Sequence, residues 1–287
     1  VVTGKTAQLR AQRRWADAQG IRYDAHGCVR ELRDNFREPL DAATLAELER
    51  GSELMPGRTR PARLWSLCSS GALVVNFFAW WRGRDYTPLL RALGVDGPGG
   101  DRLAFEEALP TGLQGDPPTV DVALFLADGR LVAIESKYGE WLVRRPRNKR
   151  AFKDKYFPPG ARVWEAAGLP RCQALAEDLQ DGRERCRFLN APQILKHALG
   201  LAHAGLRTST LVYLYYERDC RQSPVHRAEL ERVAAWLGGE VDLRVVTYQA
   251  LFDALRASGG VAHDYVDYLA RRYFAAAPQR AFDRAIA

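Results

Sequence analysis

Residues 119–140, TVDVALFLADGRLVAIESKYGE, read as two strands joined by a tight turn. Asp121 lies on the first strand; Glu135 and Lys137 lie on the second. Side chains alternate across a strand, so Glu135 and Lys137 share a face while Ile134 and Ser136 point the other way. Two carboxylates and an ammonium on an apolar hairpin make poor core. They suit a hard divalent cation, which takes oxygen ligands.

Register decides whether the three groups meet. A two-residue Asp128-Gly129 loop sets Asp121 against Ser136 and puts the carboxylates on opposite faces. A three-residue loop, Ala127-Asp128-Gly129, sets Asp121 against Glu135, Val122 against Ile134 and Leu124 against Val132. Such loops end in a residue of positive φ, the place Gly129 occupies. A one-residue slip would turn every side chain over, so burial selects the same register. The prediction is the three-residue loop, with Asp121 and Glu135 on one face.

The surrounding pattern supplies the order of elements. Residues 64–82 are apolar almost all round and read as a buried central helix, with Ser69, Ser70 and Asn76 as polar exceptions. Residues 103–109 read as a first strand carrying Glu106 and Glu107. After the hairpin, residues 190–205 form a helix with Pro192 in its first turn and Gly205 at its end. Residues 209–216, STLVYLYY, form a continuous apolar strand, as expected for parallel pairing in a covered sheet. The order is helix, three strands, helix, strand. Residues 241–247 are a short strand able to extend the sheet, and helices are expected at 1–20, 41–50, 85–94, 172–181, 225–237, 248–258 and 262–276. The stripe of Tyr265, Tyr268 and Leu269 reads as core or an interface.

At Asp121 and Glu135-Ser136-Lys137 the chain resembles the PD-(D/E)XK nuclease superfamily, whose signature is an Asp on one strand and Glu-x-Lys on the next. Val120 stands where the literal signature has Pro. The resemblance covers residues 66–217. It implies an α/β, restriction-endonuclease-like αβββαβ core with a mixed central sheet flanked by helices. On this reading the chain is a single nuclease domain: an N-terminal helical cap (1–63), the core (64–217) with a basic insert (141–189), and a C-terminal α/β extension (218–287).

One bacterial restriction-like branch of the superfamily carries Ser-Ser-Gln and Asn-Phe-Phe on the first helix. Here the runs are Ser69-Ser70-Gly71 and Asn76-Phe77-Phe78, so the Gln is replaced. The plain alternative for Ser69 and Ser70 is bonding back to helix carbonyls. Phe105-Glu106 matches a Phe-Glu pair of that branch, which makes Glu106 an outer metal ligand or the holder of a bound water. A solvated strand carboxylate is the alternative. Gln193 matches a Gln on the helix after Glu-x-Lys. His197 and His203 cannot share a metal, being about 240° apart on the helix, and each reads as a surface or satisfied residue.

The activity implied is Mg²⁺- or Mn²⁺-dependent hydrolysis of phosphodiester bonds in DNA, duplex in preference. Asp121, Glu135 and the main-chain carbonyl of Ser136 would hold the ion. Lys137 would orient water or offset charge in the pentavalent state. Seven basic residues follow the hairpin: Arg144, Arg145, Arg147, Lys149, Arg150, Lys153 and Lys155. Beside a cleavage site they are candidates to hold phosphates. Two other readings stay open: a non-cleaving nucleic-acid-binding protein on the same scaffold, and an oligomeric scaffold using the C-terminal helices.

Composition is compatible with this. The chain has 287 residues, a net charge of +7 and a pI near 9.3, a balance that suits a polyanionic partner. Five cysteines without a CxxC read as free thiols in a reducing cytoplasm. VVTGKTAQLRAQRRW has no apolar core, so no signal peptide is expected. Gly4-Lys5-Thr6 lacks the first Gly and the preceding strand of a P-loop and reads as chance. No apolar run is long enough to span a bilayer. A homodimer is compatible with all of this.

Overall fold

The computed structural model describes residues 4–51, 54, 62–100, 102–146, 150–206 and 208–274. Five strands form one sheet in sequence order: β1 (Arg102–Ala108), β2 (Thr119–Phe125), β3 (Leu131–Lys137), β4 (Thr210–Tyr215) and β5 (Asp242–Thr247). The first three are antiparallel neighbours; β4 joins β3, and β5 joins β4, in parallel. The mixed sheet and the order of its elements follow the expectation.

The hairpin has the predicted register. Val122 pairs with Ile134 and Leu124 with Val132. Leu126 N donates to Arg130 O at 2.9 Å around a loop of Ala127, Asp128 and Gly129. Gly129 has φ 84°, a conformation that costs a residue without Cβ little.

Helices cover both faces of the sheet. One face packs Val122, Leu124, Ile134, Val212 and Leu214 against α3 (Ser70–Phe78), α4 (Thr87–Ala92), α9 (Tyr248–Ala257) and α10 (His263–Leu269). The other packs Ala123, Ala133, Leu211, Tyr213 and Tyr215 against α6 (Pro170–Asp181), α7 (Ala191–His203) and α8 (Ser223–Leu237), with the short α5 (Val163–Ala166) beside them. The Tyr265 and Leu269 stripe is fully buried core. In the cap, α1 (Gly4–Ala18) and α2 (Ala42–Arg50) are fastened at separate points. Gln12 Nε2 donates to Arg272 O at 2.9 Å, and Phe105 N donates to Glu47 Oε2 at 3.1 Å.

Two expectations need correction. The helix anticipated over residues 64–82 is three pieces: a 3-10 turn at Arg63–Trp65, α3, and a 3-10 turn at Ala79–Trp81. Ser69 starts α3 as its N-cap, accepting from Ala72 N at 3.0 Å, so its hydroxyl serves an amide and not a helix carbonyl. The second lies in the insert, whose basic run of residues 144–155 leads into a packed aromatic cluster. Phe152, Tyr156, Phe157 and Trp164 pack ring on ring at 5.3–5.9 Å, and Trp164 Nε1 donates to Leu195 O on α7 at 2.8 Å.

Candidate active site

The hairpin opens at Asp121. From Val122 to Phe125, β2 is paired with β3, but Thr119 and Val120 pair only with β1. Asp121 lies at the split and crosses it: Ser136 N donates to Asp121 Oδ2 at 2.6 Å. The amide and carbonyl of one strand residue leave on the same edge. Lys137 O is taken by Tyr216 N on the β4 side at 2.8 Å, so the Ser136 carbonyl faces the split.

Glu135 and Lys137 face α7. Lys137 Nζ is bonded to Glu135 Oε1, and Glu135 is 3% exposed. The electrostatics are those of two buried acids sharing one ammonium. Burial and the neighbouring Glu135 push the Asp121 carboxyl up to about 8, against the pull of Lys137 and the Ser136 amide. Burial raises Glu135 as well. Lys137 is the reverse: desolvation works against its charge, but Glu135, Asp121 and Glu140 outweigh it and raise its pKa. Lys137 is therefore a fixed cation, unsuited to be the base in this state.

A restriction endonuclease family model, described as restriction endonuclease associating with ARP, matches residues 20–274. The chain belongs to this family. Comparisons with curated proteins and with solved structures each return no match.

Within this restriction endonuclease family member, the other anticipated site residues have separate places. Glu106 falls between the Phe105–Val122 and Glu107–Val120 pairs of the ladder but has φ 49°, and its carboxylate lies against Gly51 at the end of α2, where a Cβ would come within 2.3 Å of it. Gln193 accepts from Asn190 Nδ2 at 2.9 Å, one turn before Lys196 and His197. In the basic run, Arg150 pairs with Asp154, and Lys155 Nζ donates to Asp116 O at 2.8 Å. Arg144 and Lys153 are exposed and Arg145 is half-buried. Arg147 and Lys149 lie outside the described residues. Asn76 is structural: it bonds Asn35 O, Ala72 O and Tyr273 OH at 2.7–3.1 Å.

Four residues near the acids were missed or misjudged. His197, read as surface or satisfied, is 1% exposed, and its Nδ1 lies 3.6 Å from Glu135 Oε2 with no hydrogen-bond partner. Burial, then Lys137 and Lys196, hold its pKa down to about 3, so the ring is neutral. Lys196 is lowered by burial despite Glu135, with Lys153, Arg145 and Lys155 repelling it. Glu140 accepts from Tyr138 N and Gly139 N at 2.8 and 2.9 Å. Although desolvation opposes its charge, Lys137, the Ser70 hydroxyl and the amides of Glu140 and Gly139 hold Glu140 below the ordinary carboxylate range. Ser70 thus reaches the site. The signal for Lys196 and His197 was their spacing from Gln193 on one helix face.

Among the described residues no group of three or more His, Cys, Asp or Glu side chains is placed to hold a metal ion by itself. The donor set fits a hard cation that keeps its own waters: two carboxylates and a main-chain carbonyl at a strand split. Glu135 Oε2 and His197 Nδ1 lie 3.6 Å apart, and the imidazole nitrogen has no hydrogen-bond partner.

Proposed function

We propose that this chain is a metal-dependent endonuclease of the PD-(D/E)XK type that hydrolyses DNA phosphodiester bonds. The observation that carries the reading is the convergence of Asp121, Glu135 and a protonated Lys137 where β2 leaves β3. Such a group is weak as a fold stabiliser and needs another reason to exist. Family membership supports DNA as the substrate.

Asp121, Glu135 and the Ser136 carbonyl would hold Mg²⁺ or Mn²⁺. The bound ion would supply Lewis-acid polarisation of the phosphoryl group and lower the pKa of water. Lys137 donates to the non-bridging oxygens as negative charge gathers there, already fixed in place by Glu135. Glu140 helps keep Lys137 charged. Lys196 and the insert's cations hold the flanking phosphates. The described residues include no helix long and apolar enough to cross a membrane, and all five cysteines are free thiols; we read the site of action as the cytoplasm. A partner of the kind the family description names, ARP, would be a source of sequence specificity.

The test is nicking of supercoiled plasmid in Mg²⁺ against EDTA, with Glu135→Ala as control. Cutting in Mg²⁺ alone, lost in the variant, is expected. DNA binding without metal-dependent cutting would favour the non-cleaving alternative.

A further inference from the structure

A cavity of about 640 Å³ lies between the segment after β3, the C-terminal end of α6, the loop before α7 and the first turn of α7. Five arginines line it: Arg144, Arg145, Arg150, Arg185 and Arg187. The sequence run 144–155 supplies three of them; Arg185 and Arg187 come from a separate loop.

The two acids in the lining are already committed. Asp181 pairs with Arg183 at 2.5 Å and Glu184 with Arg232 at 2.8 Å. Arg150 is bound to Asp154. Among the described residues no carboxylate pairs with Arg144, Arg145 or Arg187. Half-buried Arg145 shows the consequence: burial lowers its pKa, opposed only by Cys186 and Tyr213 and by no carboxylate. Three guanidinium groups without a carboxylate partner, Arg144, Arg145 and Arg187, suit the cavity to anions. Each planar fork matches two oxygens of one phosphate.

The wall is also fixed in advance. Glu229, 4% exposed, accepts main-chain N–H groups from Arg187, Phe188 and Leu189, the last two at 3.0 and 2.9 Å. Arg145 N donates to Arg187 O at 2.7 Å, which ties the two arginine-bearing segments together. Phe152 N donates to Gln180 Oε1 at 3.1 Å and fastens the remaining side to α6. Cations held this way lose little freedom on binding an anion. Pro192, in the first turn of α7, lines the cavity, and Lys196 follows one turn on, within electrostatic reach of both Arg145 and Glu135. The positive path therefore runs from the carboxylate site into the cavity.

We propose that this cavity is a second phosphate subsite, which grips the DNA backbone beside the scissile group. The proposal rests on the nuclease reading for its choice of DNA, and its test is independent of cutting. The probe is a fluorescein-labelled 16-base-pair duplex in EDTA, its Kd measured against NaCl. Arg145→Ala/Arg187→Ala should raise Kd about tenfold. It should also make the log–log salt slope shallower by about 1.8, two phosphates' worth. Arg144→Ala, a change at an exposed residue, should flatten it by about 0.9. Arg256→Ala on α9 should leave both unchanged. Unchanged slope and Kd in the cavity variants would overturn the proposal. So would displacement of the probe by micromolar nucleoside monophosphate, which would make a free nucleotide the occupant. Failure to cut plasmid, with the slope difference intact, would remove the nuclease reading alone.

Discussion

The two faces of β3 are one residue apart and chemically opposite. On one, Ser136 Oγ meets Tyr248 OH at 2.8 Å, and the rest is packed hydrocarbon and aromatic ring under α3 and α9. The Ser136 and Tyr248 hydroxyls satisfy one another there. On the other, Glu135 and Lys137 lie under α7 with the Asp121 carboxyl across the split and an imidazole nitrogen left without a partner. The first face is what folding alone would select. The second carries desolvated charge that folding alone would remove, at the one place where the hairpin comes apart.

The largest expected effects set the faces against each other. Phe77→Ala, on the satisfied face, should cost about 3–5 kcal/mol of stability, because Phe77 is fully buried against Tyr248 and Tyr273. Glu135→Ala should lose about 10³-fold or more in plasmid cutting, with a smaller change in urea midpoint than Phe77→Ala. Equal stability losses, with cutting retained in Glu135→Ala, would erase the distinction.

Removing the ammonium probes the charged face next. Lys137→Met leaves Asp121 and Glu135 without their shared counter-charge. The metal-free variant should lose about 3–5 kcal/mol near neutral pH. Mg²⁺ at a hundredfold its Kd should return about 2.7 kcal/mol. Urea melts with and without Mg²⁺ measure both, and equal melts would count against a cation site.

The α7 face has a further acid-labile group. His226 is stacked on Trp141 at 4.6 Å and bonded to Tyr213 OH at 3.1 Å, and burial lowers its pKa to about 4. The unfolded chain takes up a proton below about 6.5 while the folded one stays neutral. Stability from this group is therefore whole above pH 6.5 and is lost as pH falls towards 4, by about 3 kcal/mol. His226→Gln should flatten the profile of unfolding free energy over that window. The smallest effect is at the rim: Ser70→Ala, which removes the hydroxyl on Glu140, should cost about 1 kcal/mol and slow cutting a few-fold.

The hairpin was legible because its determinants are local. Gly129 sets the loop, and the alternation of Val122, Leu124, Val132 and Ile134 leaves one register that buries them. The parallel placement of β4 followed from its unbroken apolar run. The helix ahead of β1 was misread because apolar residues all round erase the periodicity that marks a start; the Ser69 cap was the better signal. Distant partners were not legible. Glu140 finds Ser70, and His197 finds Glu135, only after α3 and α7 are laid on opposite sides of the sheet. Glu106 escaped for another reason: a left-handed backbone turns it off the regular alternation.

The most direct test is Mn²⁺ binding followed by electron paramagnetic resonance of the free ion, on the native chain and on Asp121→Asn. Saturable binding by the native chain, lost in the variant while its urea midpoint stays within reach of native, is the predicted result. No saturable binding, or the same binding in both proteins, would contradict a cation seat at the split between β2 and β3.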